Sequence, residues 1–474
     1  MIRGYVEQPS PRAGDVAVLR VSTDAPQFRV EVYRYGAEPA LRHRSGWFDG
    51  VDAPLHLPFH DWGRQNTGLH GEPLEPWPGY ELPVGEDWSS GVHVAHLVEG
   101  DGHGCDRTFP DRTTPDARSG AALFVVRSRT PTAPILVKLP LLTYLAYDLA
   151  GGEPYDAATT SGQWCFYNVP RAREVPIPFP PGLGLHRPGG GTGATPYDVF
   201  NTDPFDPTPR QTYVHHNARF DRWLERAGYE AEWCTDVDLH REGTDLLAPH
   251  RLLISAGHDE YYSDAMRAAV EAYVDDGGNV AWFSGNTCWW RVVFENHPEH
   301  GETFTRLHFW HEIDHAENRM VGVSFRNGGE RDRDDFPIPV GYRVQHADHW
   351  VYAGTGLADG DTIGAGADEY LLGYECDGAV FDRTDLDAGR AVEPTGEDGT
   401  PKDFTILAVG DCRPSGWGFG NAAATMGVFG RGRGTVFTGS TTDWSRVLTN
   451  GTPASAVLDR ITRNVLDRLG APPT

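Results

Sequence analysis

The chain has 474 residues, 39% of them hydrophobic and 23% charged, a globular composition with enough apolar side chains for sizeable cores. Its formal net charge is −26, from 41 basic and 67 acidic residues, which argues against nucleic acid or an anionic membrane surface as a partner. Lys138 and Lys402 are the only lysines, so arginine carries nearly all the positive charge.

The opening stretch MIRGYVEQPSPRAG has no apolar core of the kind a signal peptide needs, and no apolar run approaches a membrane span. Cys105, Cys165, Cys234, Cys288, Cys376 and Cys412 are far apart and form no C-x-x-C pair. That pattern suits reduced thiols in a cytoplasm better than a disulfide frame or a cysteine-built zinc site. The expected localisation is cytoplasmic.

Residues 1–130 are rich in Pro, Gly, His and Trp, and their alternating runs VAVLRVST (16–23) and FRVEVYRYG (28–36) predict strands of a β-sandwich. AALFVVRSR (121–129) would be its last strand. From about 131 to 300 the pattern becomes α/β. An apolar run (134–148) is followed, after a Pro/Gly-rich loop, by ARFDRWLERAG, with Phe220, Trp223, Leu224 and Ala227 on one helical face and Gly228 as its stop. YEAEWCTD (229–236), HRLLISAGHDEYY (250–262) and NVAWFSGN (279–286) predict strands. A helix capped by Ser263, with Met266, Val270, Tyr273 and Val274 on one face, separates the last two. Alternating strands and helices imply right-handed crossovers and a parallel sheet covered on both faces. Residues 301–474 predict a β-rich region closing in a helix, with Val457, Ile461, Val465 and Leu469 on the side that packs back on the sheet.

Ligands of open parallel sheets bind beyond the carboxyl ends of the strands. Three polar clusters fall there: TYLAYDLAGG (143–152), GHDEYYS (257–263) and SGNTCWWR (284–291). A histidine-rich stretch, 308–317, follows and holds H-E-x-x-H within WHEIDH (310–315). A zinc protease needs that motif on an amphipathic helix with uncharged residues between the histidines. Asp314 intrudes and LHFW offers no helical run, so the motif is not read as a zinc-protease helix.

HDEYY followed by a helix, then DGGNVAWFSGN, WWR and AENRMVGV, resembles the large (beta) subunit of N,N-dimethylformamidase and its relatives. TYLAYDLAGG with Tyr155, GYVEQPSPRAGDVAVLRVST and FTGSTTDWSRVL extend the resemblance over nearly the whole chain. It implies a β-sandwich, a central Rossmann-like (glutamine-amidotransferase-like) parallel α/β domain and a β-rich C-terminal part. It also implies a metal-dependent hydrolase of small amides, with one Fe(III), ahead of zinc, held by two tyrosinates and a glutamate. Phenolate and carboxylate are hard anionic donors, and such a metal would polarise an amide carbonyl and acidify a water.

Carried over, Tyr261 is the first candidate ligand and Glu317 the carboxylate, with Glu312 and Glu302 behind it. The second tyrosine is Tyr147, Tyr229 or Tyr262. His258, Asp259, Glu260, Asn286, Arg291 and His315 are candidate catalytic residues. Asp148, Asp259, Tyr262 and Cys288 depart from residues usual in the relatives, and this puts substrate and metal in question. Two other readings stay open: a metal-free cysteine hydrolase built on Cys288, and a non-catalytic protein binding a small ligand. Candidate partners are a small-molecule substrate, further copies of this chain, or a small partner subunit like the one the amidase carries.

Overall fold

The computed structural model describes residues 2–53, 77–100, 119–147, 182–185, 213–297, 301–330, 340–413 and 418–471. It is a strand-rich mixed α/β chain. Near the N-terminus, a three-stranded sheet (Ile2–Val6, Val16–Thr23, Gly79–Pro83) faces a second sheet built on Gln27–Tyr35, Gly91–Gly100 and Ser119–Val126. Alternation drives that packing: Ala17, Leu19 and Val21 point inward from one sheet and Val30, Val32, Leu97 and Phe124 from the other.

The centre is a nine-stranded sheet. Its strands run in the order Ala231–Thr235, Ile135–Leu139, Leu252–His258, Asn279–Gly285, Gly434–Thr438, Ala423–Arg431, Thr405–Asp411, Tyr342–Val344 and Thr362–Ile363. The first five are parallel to one another and the rest antiparallel. The C-terminal strand Gly434–Thr438 thus extends the parallel run, and one sheet crosses the boundary expected near residue 300.

Both faces of the parallel part are covered, which is why its strands read as nearly unbroken apolar runs. Ile135, Val137, Ile254, Ala281 and Phe283 meet Phe220, Leu224, Trp444, Ile461 and Val465 on one side. Leu136, Leu253, Val280 and Trp282 meet Val237, Leu247, Met266, Val270 and Val274 on the other. Each such aliphatic side chain contributes about 1.5–3 kcal/mol when withdrawn from water. Helix Asp264–Asp275 starts where expected, with Ser263 Oγ accepting the Met266 N–H at 3.2 Å, and Gly277 at φ +105° follows its end. Helix Pro453–Leu469 buries Ile461, Val465 and Leu469 against the sheet, as its periodicity predicts, but Leu458 is buried there too and Val457 is only partly covered. Among the described residues no helix is long and apolar enough to cross a membrane.

Candidate active site

Strands Leu252–His258 and Asn279–Gly285 run parallel in register, with His258 opposite Gly285, so both end at one edge of the sheet. Asp259 and Glu260 follow the first strand; Asn286, Thr287 and Cys288 follow the second. Helix Leu141–Tyr147 begins just after Leu139 of the neighbouring strand, and its Thr143 Oγ1 accepts the Glu260 N–H at 3.0 Å. The described parts of the three polar clusters converge. Two glycines make the convergence possible. A Cβ on Gly257, at φ +77°, would lie 2.4 Å from His216 Cβ, and one on Gly285 would lie 2.7 Å from Glu375 O and Thr442 N.

The stretch HDE divides by direction. His258 turns to one side, where its Nε2 lies 2.8 Å from Glu375 Oε2, 3.5 Å from Glu260 Oε2 and 3.3 Å from Asn286 Nδ2. All four side chains are buried. Burial pulls the His258 pKa below its usual value and pushes Glu375 up to about 8, against a hydrogen bond from Asn286. The imidazole is therefore neutral near pH 7 and the carboxyl keeps a proton, so an acid and a base face each other across a short contact. Asp377, two residues on from Glu375, accepts the Asn286 N–H at 2.9 Å and the Thr287 N–H at 3.3 Å. Burial raises it to about 8 as well. It anchors Asn286 in the left-handed region, at φ 49°, where asparagine is tolerated but strained.

Asp259 turns the other way. Its carboxylate takes Lys138 Nζ at 2.6 Å and the Tyr262 hydroxyl at 2.7 Å. Lys138 also meets Asp236 at 2.9 Å, and Asp236 accepts the Leu142 N–H at 2.7 Å. Burial works against the Lys138 ammonium, but the two carboxylates outweigh it and hold its pKa above the ordinary range. Burial lifts Asp236 to about 7 despite Lys138. Asp259 thus belongs to a buried ion cluster with Lys138, Asp236 and Tyr262.

Arg291 and His315 were expected at the site and lie away from it. Arg291 stands opposite Tyr262 in the strand pairing and reaches outward to Asp264 at 2.7 Å and His308 at 3.1 Å. His315 has 44% of its side chain exposed and meets Glu271 at 3.3 Å. WHEIDH is no zinc-binding helix: Trp310–Glu312 forms a single 3-10 turn and Ile313 is extended. His311 instead stacks with Phe309, lies tilted against Trp289 and comes within 3.9 Å of Glu317.

Tyr261 is fully buried beside Tyr262 in the core beneath helix Asp264–Asp275. Glu317 is fully buried; its Oε1 accepts the Ser324 hydroxyl, and burial raises its pKa. Tyr262 is committed to Asp259, and Tyr229 donates to Asp467 at 2.7 Å at the C-terminal helix. Glu302 pairs with Arg241, and Glu312 accepts the Phe309 N–H at 3.0 Å. Tyr147 ends the helix carrying Thr143, one turn further on, but its side chain lies outside the described residues, as do Asp148, Tyr155, Cys105 and Cys165.

Among the described residues, no group of three or more His, Cys, Asp or Glu side chains could hold a metal ion. Tyrosine is not among those donor types, and the side chain of Tyr147 lies outside the described residues, so the two-phenolate, one-carboxylate set that the resemblance implies is not complete among them.

Sequence reasoning missed Glu375, Asp377, Asp236, Lys138 and His216, whose ring centroid sits 6.2 Å from that of His258. Only Lys138 carried a signal, being one of two lysines and lying in an apolar strand. Glu375 sits in a short strand, Glu375–Gly378, far along the chain with no motif around it.

A mixed α/β fold with a buried acid–base cluster beyond the carboxyl ends of parallel strands defines the class. The family model described as N,N-dimethylformamidase beta subunit-like, C-terminal, matches residues 29–454, and the chain belongs to that family. It is 29% identical over 200 residues, 39% of this chain, to the N,N-dimethylformamidase beta subunit of Alcaligenes sp. It is 27% identical over 216 residues, again 39% of this chain, to the beta subunit from Paracoccus aminophilus. The chain spans 25% of the length of each of these relatives. Among solved structures, an exo-β-1,4-mannosidase from Opitutaceae bacterium strain TAV5 covers 72% of this chain and 36% of its own, at 8% identity and TM-score 0.29. Cytoplasmic protein STM3548 from Salmonella typhimurium covers 54% and 87%, at 10% identity and TM-score 0.29. Likenesses at that level carry nothing further.

Proposed function

We propose that this chain is a hydrolase acting on an amide C–N bond of a small molecule. The observation carrying the reading is the buried contact of 2.8 Å between His258 Nε2 and Glu375 Oε2, with Glu260 and Asn286 against the same nitrogen. Hydrolysis of an amide needs three things: a base for the attacking water, a donor for the carbonyl oxygen as it gains charge, and an acid for the leaving nitrogen. The His258–Glu375 pair takes the water proton as the C–O bond forms. Asn286 Nδ2 donates to the oxyanion. The pair then returns the proton to nitrogen as the C–N bond breaks. Family membership supports the amide as substrate class, since the relatives are named as subunits of N,N-dimethylformamidase.

The family resemblance alone adds the finer parts of the reading. Fe(III), ahead of zinc, would be held by Tyr261, Tyr147 and Glu317; a small partner subunit or further copies of the chain would complete the assembly, and the protein would be cytoplasmic. The parallel run would be a Rossmann-like layer and residues 1–130 a sandwich domain. Elemental analysis of purified protein tests the metal, with about one iron per chain and a visible tyrosinate charge-transfer colour as the expected result. The activity is tested by incubating the protein, with its metal content measured, with dimethylformamide and other small N-substituted amides. Release of amine and carboxylate is the expected outcome; a folded, metal-replete protein that cleaves none of them contradicts the reading.

A further inference from the structure

Cys376 lies between Glu375 and Asp377 on one short strand. Successive side chains of a strand point to opposite faces. Glu375 and Asp377 face the site, where they meet His258 and the Asn286–Thr287 amides. Cys376 faces away, and its Sγ lies 3.6 Å from Cys412 Sγ, just after strand Thr405–Asp411. Both are buried thiols. Cys234 and Cys288 are also buried, and burial raises both their pKa values well above the usual thiol value.

We propose that Cys376 and Cys412 are a redox pair whose oxidation to a disulfide switches off the site that Glu375 and Asp377 serve. The switching half rests on the reading of Glu375 given above; the disulfide does not. The oxidant is a peroxide. Cys376 or Cys412, as thiolate, attacks one peroxide oxygen, becoming a sulfenic acid and releasing water after proton uptake. The second thiol then attacks that sulfur, the S–O bond breaks and another water leaves. Two thiols are oxidised by two electrons, and one hydrogen peroxide is reduced to two waters. A resolving thiol already in contact favours the disulfide over further oxidation. A disulfide needs its sulfurs about 2.05 Å apart, so the pair closes by roughly 1.5 Å from its present 3.6 Å. The shift falls on the residue between the two carboxylates that hold the site. Burial makes the reaction slow, paced by local opening of the strand pair.

The test treats the full chain with hydrogen peroxide and maps its peptides by mass spectrometry. The expected product is a linked peptide pair joining Cys376 to Cys412, about 2 Da lighter than the two free peptides, restored by dithiothreitol. Amide hydrolysis should fall roughly tenfold or more with formation of the link, since a displacement of this size misplaces catalytic groups. Cys412→Ser should keep its reduced-state activity and lose that response to peroxide. The His258 imidazole resonance gives a second readout independent of turnover, and its titration should shift on oxidation in the wild-type chain only. Absence of the linked pair overturns the proposal whatever the site does. Formation of the link with neither activity nor the His258 resonance changed overturns the switch. If the link forms and moves the His258 resonance while Glu375→Gln hydrolyses amides normally, the disulfide stands and the reading of Glu375 fails.

Discussion

His258 and Asp259 are neighbours in sequence and both are fully buried, yet their surroundings are opposite. Asp259 sits in a cluster where an ammonium, a second carboxylate and a phenol satisfy one another within 2.6–2.9 Å. His258 sits among Glu260, Glu375 and Asn286, where burial lowers the proton affinity of His258 and raises that of Glu375. Burial of charge beside an opposite charge holds a fold in register; buried groups with displaced proton affinities are poised to move protons. The first cluster ties the strand Ile135–Leu139 to the ends of two others, and the second is what it positions.

That contrast can be broken from either side. The largest effect should come from Lys138→Met. It keeps the length of the side chain but leaves Asp236 and Asp259 buried without their cation, at a cost of about 3–5 kcal/mol. Urea denaturation should show it as a lower midpoint or as insoluble expression; a variant as stable as wild type would mean that the cluster holds nothing together.

The second side shows itself through pH. Glu375 and Asp377 are raised to about 8, whereas in an unfolded chain each would titrate near its ordinary value of 4.5 or 3.8. Between those limits the native state holds protons that the unfolded state has released, so this contribution to stability is full below the unfolded pKa and is lost as pH rises to about 8. His258 acts in the opposite sense at the acid end: its lowered pKa makes the native state lose stability as pH falls below the unfolded value of 6.5. Thermal melts from pH 5 to 9 should therefore show a fall on the alkaline side that Glu375→Gln flattens. An unchanged slope in the variant would remove Glu375 from the titrating set.

Cys288→Ala is expected to leave hydrolysis within about threefold of wild type, because a thiol held well above its usual pKa by burial is no nucleophile. Alkylation-sensitive activity lost in this variant would instead revive a cysteine hydrolase. The smallest effect belongs to Arg291→Gln. Its partner Asp264 is 60% exposed, so losing the pair should cost no more than about 1 kcal/mol and leave turnover intact.

Much of this was legible in the sequence because the parallel strands are buried on both faces, so runs such as LLISAG announce themselves, and capping by Ser263 and the glycines after Asp276 mark the helix between them. The edge where the candidate site lies followed from strand direction alone. What periodicity could not reveal was which way each side chain turns once the strand ends. His258, Asp259 and Glu260 are consecutive in sequence, and the placement of Lys138 draws Asp259 away from the partners of His258. Glu375 was invisible for a different reason: its contact with His258 spans more than a hundred residues and lies on a strand of four, too short to show a pattern. Arg291 and His315 looked close in sequence to the site, but strand pairing and a 3-10 turn carry them to the surface.

On the reading proposed for this site, Glu375 acts chemically and Lys138 structurally. The direct measurement is the rate of amide hydrolysis by Glu375→Gln, taken together with its melting temperature at pH 6. The expected rate is lower by about 100-fold or more, as for loss of an acid–base group, with a melting temperature at or above that of wild type. A variant that melts early in proportion to its lost activity, or one that hydrolyses at the wild-type rate, would contradict it.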